Sequence, residues 1–318
     1  MDLYSIGELV IDFTPGSEPA SYIRNPGGAP GNAAIVAARS GLSVGVCSSV
    51  GDDDFGRFLV QTMEENGVRV INPNLCAKAI TTLAFVTLAP DGNRSFTFAR
   101  KPGADMFLEE RAVKEEDIRN SAIVHAGSCS LSASPAAEAT ARALRLGHEL
   151  GKLVSFDVNY RNVMWNDNQA ACATKVREIL PYVDLLKVSD EEVGMVGGEE
   201  ALPGLMEEYG IAVVVETLGG AGARCFFGGE SWDAASFKVP CVDTNGAGDA
   251  FWGAFLASLH IQGVKAAGQI TREVLSRAVT YGNAAGALTV QKKGAIPALP
   301  TRAQIEAFLA GNGGEKTL

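Results

Sequence analysis

The sequence predicts an α/β fold: a mostly parallel sheet covered on both faces, with a small β-sheet beside it. Three observations carry this. Strand-like and helix-like runs alternate along the 318 residues, the pattern of strand–helix–strand units. The later strand runs, "SAIVHAGS", "LVSFDVN", "VDLLKVS" and "AVVVETLG", are short and almost continuously apolar, which suits strands buried on both faces. One segment, "ITTLAFVTLAPDGNRSFTFAR", breaks the rhythm with two β-rich runs around Asp91-Gly92, a strong hairpin signal.

The elements follow in order. "LYSIGELVIDF" reads as a first strand. "AAIVAARSG" is helical and stops at Gly41. "SVGVCSSVG" is strand-like again, and "DDFGRFLVQTMEENGV" is an amphipathic helix ending at Gly67. A hairpin inside such a chain is expected to lie outside the main sheet. It is therefore assigned, with "FTPGSEPASYIR", to a small β-sheet lid, about residues 13–25 and 80–104. "SPAAEATARALRLGHELG" and "NQAACATKVREILPYV" supply helices between the later strands. Phe251, Phe255 and Leu259 recur four apart, one buried stripe of a further helix. With no repeat and no linker, residues 1–318 read as a single domain, and the tail "GNGGEKTL" as frayed.

Composition narrows the function. A chain that is 47% hydrophobic and 20% charged has a real core and little disorder. Lysine plus arginine is 27 and aspartate plus glutamate 37, so the net charge is −10. Without a basic run, nucleic acid and anionic membranes are poor partners, while a small anionic ligand held by local donors remains open. No apolar run reaches the ~20 residues of a membrane helix. The start, "MDLYSIGELVIDF", lacks the basic region of a signal peptide. The six cysteines form no C-x-x-C pair and read as reduced core thiols, so a cytoplasmic location is expected. The histidines (His125, His148, His260) stand far apart and are given no role.

Two glycine-rich stretches carry chemistry. In "DTNGAGDAFWGAFLASL", Gly246, Ala247 and Gly248 open a helix whose bare N–H groups and dipole suit an anion. Asp249 projects from the same turn. A base beside an N–H cradle is the minimal apparatus for moving a phosphoryl group to a hydroxyl. Read alone, the stretch serves equally as a core helix capped by Asp243 or Asn245, with Asp249 complementing the dipole. In "NPGGAPGNAAIVAARSG", Gly27, Gly28 and Gly31 bring backbone against a polar ligand and the Asn32 amide meets hydroxyls, or the stretch is a tight turn with close alanine packing.

Other candidates lie at strand ends, where ligands of parallel sheets bind. Asp12, at the end of the first strand, could accept from two sugar hydroxyls or merely end the strand. Asn159 and Arg161 follow "FDV", the arginine being a fork for an anion or half of a surface ion pair. Glu192 in "KVSDEE" could order water around Mg²⁺, and the glycine-rich turn holding Thr217, Gly219 and Gly222 could take nucleotide phosphates. G-x-x-x-x-G-K-[ST], a G-x-G-x-x-G after the first strand, H-E-x-x-H and G-x-S-x-G are all absent.

Taken together, the stretches resemble the PfkB, or ribokinase-like, carbohydrate kinase family. "GGAPGNAA" is similar to its N-terminal signature and "DTNGAGDAFWGAF" to its C-terminal one, and the resemblance runs from "GELVIDF" to "KKGAIPALP". It implies a three-layer α/β/α fold with a β-sheet lid and an ATP-dependent sugar kinase. Asp249 then matches the catalytic base, and Gly246, Ala247 and Gly248 the anion hole. Asp12, Gly27, Gly28 and Asn32 match the sugar side. Arg100 and Arg161 match arginines reaching substrate or phosphate. Glu192 matches the acid of the N-x-x-E element, which organises Mg²⁺ through water; Ser189 replaces its Asn, which weakens Ser189 as a phosphate ligand. Thr217, Gly219, Gly222 and Asn283 match ATP-site positions. Asp243, with the loop around Gly294, matches a K⁺ site of some members.

Within the family, "GELVIDF", "ARKPGADM", "DVNYRNVMW", "KVSDEE" and "GAIPALP" are most similar to bacterial fructokinases. The resemblance thus implies fructose as substrate and fructose 6-phosphate as product, with ATP and Mg²⁺. In some relatives the lid is a homodimer interface. A 2-keto-3-deoxygluconate kinase is the alternative, with Arg100 or Arg161 meeting the acid. Ribokinase fits less well, because Ala29 stands where that branch has Lys. A non-catalytic sugar- or nucleotide-binding regulator is the other class; Asp249 beside an intact Gly-Ala-Gly argues against it, since a binder needs no base.

Overall fold

The structure, a computed structural model, describes residues 1–18, 20–71, 74–88 and 94–312. In chain order the first elements are β1 (Leu3–Ile6), β2 (Val10–Pro15), β3 (Tyr22–Gly27), α1 (Ala29–Arg39), β4 (Val44–Cys47), β5 (Ser49–Gly51), α2 (Asp54–Glu65), β6 (Val68–Val70) and β7 (Asn74–Cys76). Then come β8 (Leu83–Leu88), β9 (Arg94–Ala99), α3 (Glu115–Arg119), β10 (Ile123–Gly127), α4 (Ala136–Glu149), β11 (Leu153–Asp157), α5 (Gln169–Ile179) and β12 (Leu185–Ser189). The last are α6 (Leu202–Tyr209), β13 (Val213–Thr217), β14 (Gly222–Phe227), β15 (Glu230–Ala235), α7 (Ala247–Ile261), α8 (Arg272–Thr289) and α9 (Arg302–Gly311).

Nine strands form the large sheet in the order β15-β14-β13-β12-β11-β10-β1-β4-β6. Pairing is parallel from β6 to β13 and antiparallel at β13–β14 and β14–β15. Because side chains alternate along a strand, neighbours in sequence enter opposite cores. Leu3, Val44, Leu153, Leu185 and Val213 pack with α1, α2, α7, α8 and α9. Tyr4, Val124, Val154, Leu186 and Val214 pack with α3 to α6 on the other face. This is the expected α/β/α layering.

The apolar run after Asp249 makes α7 a helix buried on nearly all sides: Trp252 and Phe255 are fully buried, with ring centroids 4.6 Å apart. The Ser155 hydroxyl on β11 receives Trp252 Nε1 at 2.9 Å and lies 3.1 Å from His125 Nδ1, fixing α7 to the sheet. His125, given no role from the sequence, thus belongs to a core network, and burial pushes its pKa down to about 3.

The hairpin strands β8 and β9 do leave the large sheet. They pair antiparallel and join β2 and β3 in a four-stranded sheet of order β3-β2-β8-β9. The expected Asp91-Gly92 turn and the tail beyond Asn312 lie outside the described residues. Two expectations need correction. "LYSIGELVIDF" is two strands: β1 belongs to the large sheet and β2 to the small one. The chain changes sheets at Gly7, whose φ of 149° leaves it in a region L side chains avoid, and a Cβ there would come within 2.6 Å of Pro30 Cγ. "SVGVCSSVG" likewise splits into β4 and β5, the latter pairing with β7 in a separate two-stranded sheet. Of the cysteines, five are buried as expected, but Cys241 is exposed.

Candidate active site

The chain reaches α7 through Thr244-Asn245-Gly246. Gly246 is the N-cap, at φ 75°, and no side chain caps the helix. The capping reading of Asp243 and Asn245 is therefore corrected. Asp243 Oδ1 accepts the Asn245 N–H at 2.9 Å and Oδ2 the Gly294 N–H at 3.0 Å, so Asp243 ties the turn to the loop ahead of Ile296. Among the described residues the first-turn N–H groups of α7 have no side-chain acceptor, which leaves them the positive end of the helix dipole.

Asp249 lies in that first turn and is 9% exposed. Its Oδ2 accepts a hydrogen bond from Asn32 Nδ2 at 2.8 Å. Asn32 sits in the first turn of α1, which starts at Gly28 with φ 110°. There a Cβ would come within 3.0 Å of Leu9 Cα, so only glycine fits. The two glycine-rich stretches thus meet at one point, where the first turns of α1 and α7 face each other.

Charges gather around this point. Asp12 was expected at the end of a large-sheet strand. It lies instead on β2 of the small sheet, opposite Asn25 of β3, because the strand was two. It packs so closely on Gly27 that a Cβ there would be 3.0 Å from its Cγ. Burial, with help from Asp249, pushes its pKa up to about 6 although Arg161 opposes this. Arg161 is solvent-accessible. Partial desolvation among its neighbours works against its charge, but Cys129, Asp249, Glu192 and Asp157 together raise its pKa. Asn159 precedes it at φ 35°.

Beneath, Lys187 Nζ lies 2.9 Å from both Asp157 Oδ1 and Oδ2, the two residues being register partners on β11 and β12. Burial pushes Asp157 up to about 6 against the pull of Lys187. Glu192 Oε1 accepts the Tyr160 N–H at 2.7 Å and Oε2 the Ser189 N–H at 3.0 Å, which joins the ends of β11 and β12.

Arg100 stands apart from this group. Its guanidinium pairs with Asp105 at 2.7 Å and donates to Ser132 Oγ at 3.1 Å and to the Met164 carbonyl at 3.3 Å, with the side chain 8% exposed. The sequence reading missed Asp157 and Lys187. Each is a lone charge in an apolar strand run, which was a visible signal, since such charges are buried only when paired.

A cavity of about 920 Å³ opens on the far side of α7's first turn, in the range of small-molecule sites. Ser189, Thr217, Gly219, Gly222 and Asn283 line it, together with Ala247 and Gly248 of the turn. Asn283 Nδ2 donates to the Ala234 and Ala235 carbonyls at 3.0 and 3.3 Å, tying α8 to β15 under the cavity. Among the described residues, no three of His, Cys, Asp and Glu are grouped to hold a metal ion by themselves. The arrangement is a carboxylate, Asp249, bonded to Asn32 in a group of buried charges, beside a bare helix N-terminus that lines the cavity.

Residues 2–302 match the family described as pfkB family carbohydrate kinase, and the chain belongs to that family. Its fold is ribokinase-like, with the large, mostly parallel sheet and the small separate one. Fructokinase-1 of Oryza sativa subsp. japonica is 38% identical over 311 residues, covering 95% of each chain. The crystal structure of a fructokinase from Xylella fastidiosa with bound ATP has a TM-score of 0.92 at 28% identity, covering 98% of this chain and 99% of that one. A fructokinase from Vibrio cholerae O395, with fructose, ADP and calcium ion bound, has a TM-score of 0.88 at 32% identity, covering 97% and 98%.

Proposed function

We propose that this carbohydrate kinase is a fructokinase, moving the γ-phosphoryl of ATP to the primary hydroxyl that gives fructose 6-phosphate. One observation carries the mechanism: Asp249, oriented by Asn32, stands in the same helix turn whose Ala247 and Gly248 line the cavity. Fructokinases among the relatives, one with bound fructose, support the sugar.

The sugar is assigned to Asp12, Gly27, Gly28, Asn32 and Arg161, and ATP to the cavity of Ser189, Thr217, Gly219, Gly222 and Asn283. Asn32 holds Oδ2 of Asp249, leaving Oδ1 for the hydroxyl. The hydroxyl proton passes to Asp249. The sugar oxygen bonds to the γ-phosphorus, the bond to the β,γ-bridging oxygen breaks, and ADP leaves with that electron pair. The Gly246–Ala247–Gly248 backbone receives the charge on the phosphoryl oxygens. Bound with the nucleotide, Mg²⁺ supplies neutralisation of phosphate charge. Each Glu192 oxygen holds one N–H and keeps a lone pair for water, so Glu192 fits that ion through water and not as a direct ligand. Asp243, joining two loops, is assigned the K⁺ position. The small sheet acts as the lid that excludes water from the sugar.

Arg161 is an accessible cation at the site, and it favours a second reading, a 2-keto-3-deoxygluconate kinase. With Arg100 held by Asp105, Arg161 is alone in that role. The test is sugar-dependent ADP release over fructose, ribose and 2-keto-3-deoxygluconate, with and without K⁺. Fructose is expected to give the highest kcat/KM. A higher value for the acid would establish the second reading, and ADP release indifferent to every sugar would reject both.

A further inference from the structure

Lys187 and Asp157 are a buried ion pair in the middle of the large sheet, and the mechanism above does not use them. Burying two charges costs more than packing two apolar side chains of similar size, so stability alone is a weak reason for the pair. Its placement is more telling. A Cβ built on Gly248 would find Lys187 Nζ at 3.7 Å and Cε at 4.0 Å, the nearest atoms outside its own helix among the described residues. The ammonium therefore lies against the anion-holding turn, and the carboxylate lies farther off. Both Asp157 oxygens are 2.9 Å from Nζ, which fixes the ammonium in place. Gly248 also lines the cavity assigned to ATP.

We propose that Lys187 is a positioning residue of phosphoryl transfer: Asp157 fixes its ammonium behind Gly248, where its charge reinforces the helix N-terminus toward the phosphoryl oxygens. The pair works as an oriented dipole with its positive end toward the turn, in a water-poor interior where such a field is strong. It moves no proton and forms no bond to phosphorus. Its effect falls on the charge that develops during transfer, so it belongs in kcat and not in KM. This inference rests on the kinase reading above.

The direct test replaces both partners, Lys187→Met with Asp157→Leu, so that no buried charge is left unpaired. The double variant should retain the wild-type circular dichroism spectrum. Its KM values for ATP and fructose should stay within about threefold, and kcat should fall about 100-fold, the loss typical of removing one charge-stabilising group. A kcat within threefold of wild type would overturn the proposal, because a merely structural pair is replaceable by apolar packing. A loss carried by KM for ATP with kcat unchanged would overturn it too. If leucine prevents folding, Lys187→Met with the isosteric Asp157→Asn is judged by the same criteria. Wild-type enzyme assayed alongside separates the two claims: no sugar-dependent ADP release by wild type rejects the kinase reading itself.

Discussion

Glu8 sits where the chain leaves β1 for the small sheet, buried beside the Arg100–Asp105 pair. Burial, reinforced by Asp105 and opposed by Arg100, pushes its pKa up to about 7. An acid whose folded pKa exceeds its free value holds extra protons in the folded state. Its contribution is then present below the free value of about 4.5 and lost as pH rises through about 7. Glu8→Gln keeps the acceptor oxygen and removes the charge. By denaturant unfolding it should be more stable than wild type by about 2–3 kcal/mol at pH 8, with the gap mostly closed at pH 5. A gap independent of pH would refute this assignment. Single residues were unevenly legible in the sequence. Asp249 stood out as a charge at the mouth of an apolar helix, but its bond to Asn32 spans 217 positions and has no local signature. Arg100 looked like a cation open to substrate, although Asp105, its partner, stands only five positions on.

At the scale of elements, α1 and α7 carry the two glycine-rich turns and must be held in register. Gly253 sets their distance: a Cβ there would lie 2.9 Å from Ala33 Cα and closer still to the Ala33 carbonyl oxygen. Both atoms are backbone and cannot rotate away. Gly253→Ala should therefore cost about 1–3 kcal/mol of stability and lower kcat as well, because it moves Asn32 relative to Asp249. Unchanged urea unfolding and unchanged kcat would show that the helices have slack. Most strands and helices were readable from periodicity. The sheet change inside "LYSIGELVIDF" was not, since both halves are apolar and only Gly7 marks the break. That single misreading also misplaced Asp12, which the small sheet and not the large one brings to the site.

At the scale of the molecule, β3 leaves Tyr22 50% exposed beside the stacked Phe13 and Phe85, and Ile23 55% exposed on the opposite face of the small sheet. Large apolar residues in the open on both faces of so small a sheet favour a covering surface, and a second copy of the chain is the proposed one. Light scattering should give twice the chain mass, and Tyr22→Glu with Ile23→Glu should halve it. A monomeric wild type at micromolar concentration would reject the dimer.

In the proposed mechanism Asp249 takes the proton of a sugar hydroxyl at the mouth of the nucleotide cavity. The most direct measurement is fructose-dependent ADP release by Asp249→Asn beside wild type. Asparagine keeps the shape and an acceptor for Asn32 but is no base. A fall in kcat of about 10²–10⁴-fold is expected, with the fold intact. A variant that turns over fructose within tenfold of wild type would contradict it.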